Sequence, residues 1–287
     1  MKVWVLGARP RTLVAAVCPV LVGTAAAAAE GPVMAWRALA ALVVALALQV
    51  GVNYANDYSD GLRGTDTSGR LGPARLTATG LATPAAVRAA AAVAFAVAAV
   101  AGLALAIAVD LRLLLVGAAA IAAAVLYTGG PRPYGYSGFG ELAVLAFFGV
   151  VATCGSAYVQ LERVPAVAVA ASVVVGLGAV AILLANNVRD IDGDRLAGKR
   201  TLAVRLGRSR SRAVFTAVVA GMFVTAAVLG LARPPVLVTL AAAPLAVTPV
   251  HLVRTRTDGS GLITALGATA RLHLVTSLLL AAGLWVS

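Results

Sequence analysis

Asn186-Asn187-Val188-Arg189-Asp190-Ile191-Asp192-Gly193-Asp194 follows directly on an apolar run from Ala166 to Ala185. Packing does not explain three aspartates at the end of a membrane-length segment, because carboxylates near a bilayer are costly and repel one another. On a helix Asn186, Asp190 and Asp194 are four residues apart and share one face. A partner stretch, Asn53-Tyr54-Ala55-Asn56-Asp57-Tyr58-Ser59-Asp60-Gly61, also ends an apolar run, with Asp66 close behind. Asn53 and Asp57 repeat the four-residue spacing. Counting Asp66, six of the 11 acidic residues lie in these two stretches. Two carboxylate groups facing each other at a membrane surface describe a divalent-metal site.

The 287-residue chain as a whole is 61% hydrophobic and 12% charged, against about a quarter charged in soluble domains. Apolar runs of roughly 20 residues recur along its length, so the chain is expected to be an all-α polytopic membrane protein, residues 1–287 forming one domain. The runs are continuously apolar rather than alternating, which excludes a barrel. Lys2 precedes the first run with no small-residue cleavage site after it, so this segment is expected to be retained. The two cysteines, Cys18 and Cys154, lie within apolar runs and read as buried thiols, not a disulfide framework.

Nine spans are expected, at about 12–29, 35–56, 84–109, 111–128, 139–160, 164–187, 212–231, 235–253 and 271–286. Both acidic stretches follow even-numbered spans and therefore share a membrane face. Of the 23 basic residues, all but Arg37, Arg112, Arg163 and Arg233 fall on that face. Cytoplasmic loops collect Lys and Arg, so the acidic stretches are expected in the cytoplasm, with the N-terminus in and the C-terminus out. The formal charge of +12 is read as this topology signal, not as a nucleic-acid surface.

Bound Mg²⁺ relieves the repulsion among the aspartates, and Mg²⁺ favours one or two carboxylates completed by phosphate oxygens and water. Carboxylate clusters, two Mg²⁺ ions and neighbouring cations together describe a site for a diphosphate. Lys199 and Arg200 are the natural direct phosphate contacts. A third stretch, Tyr127-Thr128-Gly129-Gly130-Pro131-Arg132-Pro133-Tyr134-Gly135-Tyr136-Ser137-Gly138-Phe139-Gly140-Glu141, lies on the same side. Its Gly and Pro exclude a continued helix. Tyr127, Tyr136 and Phe139 either line a pocket that stabilises a cation or form an interfacial aromatic belt, and composition leaves both readings open.

Together these stretches resemble the UbiA superfamily of intramembrane aromatic prenyltransferases. The Asn-Asp-x-x-Asp start at Asn56, the second motif Asp190-x-x-x-Asp194, and the Tyr127–Glu141 loop carry the resemblance. So do Phe147-Phe148-Gly149, Gly155 to Gln160, Ala8 to Leu13 with Pro19 to Gly23, and Gly198 to Leu202, which look like the 1,4-dihydroxy-2-naphthoate polyprenyltransferase branch. The resemblance covers about residues 7–207. It implies helices around a central cavity opening near the cytoplasmic face of a bacterial plasma membrane. It implies transfer of a polyprenyl group from polyprenyl diphosphate to 1,4-dihydroxy-2-naphthoate with loss of the carboxylate, giving demethylmenaquinone. Asp57, Asp60, Asp190 and Asp194 match positions that hold Mg²⁺ and diphosphate, with Lys199 beside them. Asn53, Asn56, Asn186, Asn187, Tyr127, Tyr136 and Tyr158 are the implied substrate-binding positions. The family's first motif commonly ends in an aspartate where this chain has Gly64, and Asp66 is the candidate substitute. The family's Lys-Arg pair reads Pro131-Arg132 here. Arg9, Arg11 and Arg132 are candidates for the acceptor's carboxylate.

Two other readings compete. A divalent-cation transporter predicts acids deep in the spans and at both faces, whereas here they cluster at one. Another aromatic acceptor, such as 4-hydroxybenzoate or a haem, is disfavoured by the Tyr-Thr-Gly-Gly-Pro loop.

Overall fold

A computed structural model of the chain describes residues 2–65 and 75–287. Among the described residues there is no strand. A short α1 (Lys2–Ala8) leads into α2 (Pro10–Ala28), α3 (Ala35–Leu62), α4 (Pro84–Ala108) and α5 (Leu113–Leu126). The next apolar segment is composite: α6 (Gly140–Val144), a π-helical stretch Leu145–Val151, and α7 (Ala152–Leu161). Then follow α8 (Ala166–Leu196), α9 (Leu202–Ala232), a 3₁₀ segment Pro234–Ala246 continuing into α10 (Val247–Thr255), and α11 (Gly259–Trp285). Eight of these helical segments are long and apolar enough to cross a membrane, and α5 is a shorter apolar helix. The nine expected segments therefore all appear as helices, the fourth at only 14 residues.

Several helices run further than hydropathy suggests. The first acidic stretch is the last two turns of α3, and the second the last turns of α8. Likewise α9 starts at Leu202 and α11 at Gly259, well before their apolar parts. Hydropathy detects only the stretch within lipid, whereas the backbone ladder continues wherever no residue breaks it. In α9 the break is Gly207, whose φ of 75° only glycine adopts readily, and the helix bends there.

The core forms around α8, of whose apolar window 72% is buried, against 22% in α4. Helix α8 packs on α2, α9, α11 and the π-helical stretch. Small residues set these distances: a Cβ on Gly149 would meet the Gly176 Cα at 2.8 Å and the Ser172 carbonyl at 3.0 Å. Within lipid no hydrophobic drive joins helices, so such backbone contact supplies the cohesion. Cys18 and Cys154 are free and buried. The α3–α4–α5 group stands on the other side of a large central cavity, with Val93, Val97, Val100 and Ile107 of α4 exposed on the outer surface.

Candidate active site

The cavity measures about 970 Å³. Its polar end collects Asn56 and Asp60 from α3, Asn186, Asn187, Arg189, Asp190 and Asp194 from α8, and Lys199 from the following loop. Its body is apolar, walled by alanines, leucines and valines of α2 to α5 and by Phe147 and Phe148. On α3 the lining runs from Ala41 to Asp60, about 28 Å of helix at 1.5 Å per residue. The π-helical stretch presents both Phe147 and Phe148 to the cavity, a distortion that recurs at functional sites.

Asp60 is the hub of the polar end and is only 3% exposed. The Tyr136 hydroxyl donates to its carboxylate. Lys199 Nζ stands 3.4 Å from one oxygen and Arg75 3.9 Å from the other. Lys199 also lies over the Tyr136 ring, 4.6 Å from its centre. Burial and the adjacent Asp60 charge push the Tyr136 phenol up to about 12, which keeps it a neutral donor. The aromatic loop is tied down from both sides: the Arg200 amide donates to the Tyr136 carbonyl at 2.8 Å, and Arg63 donates to the carbonyls of Thr128 and Gly130. Tyr127 stacks edge-on with Tyr134, ring centres 5.4 Å apart. Asn56 accepts from the Thr128 hydroxyl at 2.8 Å.

On α8 the guanidinium of Arg189 holds both oxygens of Asp190 at 2.7 Å and donates to Asn186 at 2.7 Å. Asn187 donates to Glu141 at 2.9 Å. The four-residue spacing therefore brings Asn186, Asp190 and Asp194 onto the cavity side as one row.

Other expected residues have different surroundings. Asp57, 1% exposed, is off the cavity lining; the amides of Leu76 and Thr77 donate to its two oxygens at 2.8 and 2.9 Å. Asn53 lines the cavity, yet its amide donates to the Ala8 carbonyl at 2.9 Å and to Thr12 at 3.1 Å. Those bonds clamp the α1–α2 corner, where Arg9 takes a left-handed backbone (φ 52°, ψ 70°) and lines the cavity with Arg11. Arg132 and Phe139 are exposed and stand outside the lining, as does the exposed side chain of Arg200. Tyr158 is at the far end of the bundle, where its hydroxyl donates to Asp110 at 2.5 Å. Its helix, α7, runs away from the polar end, so proximity in sequence to the other matched stretches did not bring it there. Asp66 lies outside the described residues.

Arg189 and Arg75 are site residues that the sequence reading missed. The place of Arg189, three after Asn186 and beside Asp190, was the available signal; nothing local marks Arg75.

Among the described residues no three His, Cys, Asp or Glu side chains converge as a closed metal cage. What converges is a set of oxygen donors, carboxylates and amides, on two facing helices. That set fits a hard cation whose shell is completed by phosphate oxygens and water.

Residues 16–275 match the UbiA prenyltransferase family. The chain is 50% identical over 281 residues to a 1,4-dihydroxy-2-naphthoate octaprenyltransferase of Mycobacterium tuberculosis, covering 98% of this chain and 96% of that one. It is 36% identical to the protein of the same name from Escherichia coli, covering 100% and 96%. Among solved structures it is similar to the apo structure of a UbiA homolog from Aeropyrum pernix, with a TM-score of 0.70 at 18% identity, covering 96% of this chain and 97% of that one. It is also similar to a UbiA homolog from Archaeoglobus fulgidus bound to GPP and Mg²⁺, with a TM-score of 0.64 at 15% identity, covering 97% and 99%. With the motif row on α8, the hub at Asp60 and a family match over most of its length, this chain belongs to the UbiA prenyltransferase family.

Proposed function

We propose that the protein transfers a polyprenyl group from polyprenyl diphosphate to 1,4-dihydroxy-2-naphthoate, giving demethylmenaquinol, the reduced form that a separate two-electron oxidation converts to demethylmenaquinone in menaquinone biosynthesis. The observation that carries this is one cavity with two chemistries: carboxylates, amides and cations at one end, and a long apolar body behind them. The diphosphate belongs at the polar end and the prenyl chain along the body. Similarity to proteins named for this activity supports the choice of acceptor.

The allylic C–O bond breaks and the diphosphate leaves with the electron pair. Lys199 at the polar end donates to the departing oxygens, and Arg75 and Arg189 line the same end. Asn56, Asp60, Asn186, Asp190 and Asp194 would hold Mg²⁺, two ions in this proposal, which when bound neutralises leaving-group charge. Phe147, Phe148 and Tyr127 wall the adjoining space, where an allylic cation escapes water. The new C–C bond forms at the ring carbon bearing the carboxylate. Loss of CO₂ returns its bonding electrons to the ring, so atoms and charge balance without an added base. Arg9 and Arg11, which line the cavity, are the arginines placed to hold the acceptor carboxylate.

We place the polar end at the cytoplasmic face of the plasma membrane, N-terminus in and C-terminus out, on the strength of the basic-residue asymmetry. A transporter reading is disfavoured, because Asp60, Asp190 and Asp194 are the acids among the cavity-lining residues and all stand at one end.

The test uses purified protein with labelled polyprenyl diphosphate, Mg²⁺ and a panel of aromatic acids, with products identified by mass. A decarboxylated prenyl naphthalenediol is expected, abolished by EDTA and restored by Mg²⁺. Prenylation of 4-hydroxybenzoate in preference to the naphthoate would overturn the acceptor assignment, and turnover after exhaustive chelation would overturn the metal.

A further inference from the structure

A second cavity, about 710 Å³, opens between α9 and α10 at the same end of the bundle as Asp60, separate from the active-site cavity. Arg208 and Arg212 of α9 and Arg254 of α10 stand over it. Below them Ala213, Ala217 and Ala220 form its floor, all three exposed. Their spacing puts them on one face of α9, and the row runs about 10 Å toward the membrane interior. Ser209 and Thr216 complete the lining, and the Thr216 hydroxyl is spent on the Arg212 carbonyl at 3.0 Å. The site therefore has a cationic head and a groove of small, mostly apolar residues leading from it.

The cations are only partly answered by the protein. Arg208 pairs with Asp192 at 2.7 Å and donates to the Val188 carbonyl at 3.2 Å. Arg212 donates to the Arg256 carbonyl, but its buried Nε–H has no hydrogen-bond partner. A desolvated guanidinium donor without an acceptor is unfavourable, and Arg208 one turn away adds like charge. A phosphodiester answers both, accepting from a guanidinium fork while supplying negative charge. The positive-inside tendency accounts for the sign of these residues, but not for a buried unanswered donor above a groove of alanines.

We propose that this cavity binds one anionic phospholipid, its phosphate against Arg212 and Arg254 and an acyl chain along Ala213, Ala217 and Ala220. The groove selects an amphiphile over free phosphate, and basic pockets between membrane helices are known to take anionic headgroups.

Native mass spectrometry of the delipidated full-length protein tests this, with phosphatidylglycerol, phosphatidylcholine and inorganic phosphate as probes. Wild type should retain one phosphatidylglycerol in clear preference to phosphatidylcholine, and millimolar phosphate should not displace it. Arg212→Gln with Arg254→Gln should lower retention by about tenfold or more, the equivalent of one lost charge-assisted contact. Ala217→Phe, which fills the groove and leaves the charges in place, should lower it as well. Arg210→Gln, an exposed arginine outside the cavity, should not. Prenyl transfer in detergent reports whether each variant is folded. Equal retention of the two lipids by wild type, or undiminished phosphatidylglycerol on folded Ala217→Phe, would overturn the proposal. Displacement by inorganic phosphate would show a phosphate site instead of a lipid site.

Discussion

Lys199 Nζ lies 3.4 Å from Asp60 Oδ1, joining the acidic motif that ends α3 to the loop that follows α8. The Lys199 amide in turn donates to the Asp194 carbonyl at 2.8 Å. One lysine thus links both motifs, and its charge sits where a leaving diphosphate needs it. Asp60→Asn should lower kcat on the order of 100-fold, the scale seen when an electrostatic contact to a reacting group is removed. Lys199→Ala should do the same while raising the KM of the prenyl diphosphate. Unchanged kcat in folded Asp60→Asn protein would remove Asp60 from the reaction.

Asp57 should behave differently. Its two oxygens are taken by the amides of Leu76 and Thr77, so Asp57→Ala leaves two amide donors without their acceptor. A cost of about 1–3 kcal/mol is expected for each unanswered buried group. Thermal unfolding in detergent should show a clear drop for Asp57→Ala, while its remaining activity keeps the wild-type dependence on Mg²⁺ concentration. A wild-type unfolding midpoint with a raised Mg²⁺ requirement would return Asp57 to the metal site.

The Tyr136 phenol is raised to about 12 from an ordinary 10. Its folded value lies above its unfolded one, so the stability it contributes is whole below pH 10 and is lost as pH rises through about 12. Unfolding midpoints should fall between pH 10 and 12, and fall less in Tyr136→Phe. Parallel curves for the two proteins would show that the phenol does not titrate against Asp60.

Arg132 is exposed and off the cavity, whereas Arg9 lines it. Arg132→Ala should leave both KM values within about twofold, and Arg9→Ala should raise the naphthoate KM about tenfold, the loss of one charge-assisted bond. A selective naphthoate effect in Arg132→Ala would mean that the loop closes over the acceptor.

Topology has a direct test. An impermeant label on intact cells should reach a cysteine placed after Ser287 and not one placed at Arg210, near the arginine-rich start of α9. The opposite labelling would place the polar end outside.

Much of this protein was legible in the order of its residues. Hydropathy alone located every long apolar helical segment, because a bilayer core requires long, continuously apolar helices. The row Asn186, Asp190, Asp194 was equally legible, since helical periodicity puts residues four apart on one face whatever the helix packs against. Sequence could not decide which carboxylates face the cavity. Asp57 and Asp60 differ by less than one turn, and the return of the chain at Leu76 and Thr77 claims one and leaves the other. Nor could it show that Arg75 approaches Asp60 or that Tyr158 points to Asp110 at the far end. Those relationships depend on how separate helices are rotated and how deep each sits. Packing of small residues such as Gly149 against Gly176 fixes both, and that contact exists only once the bundle has formed.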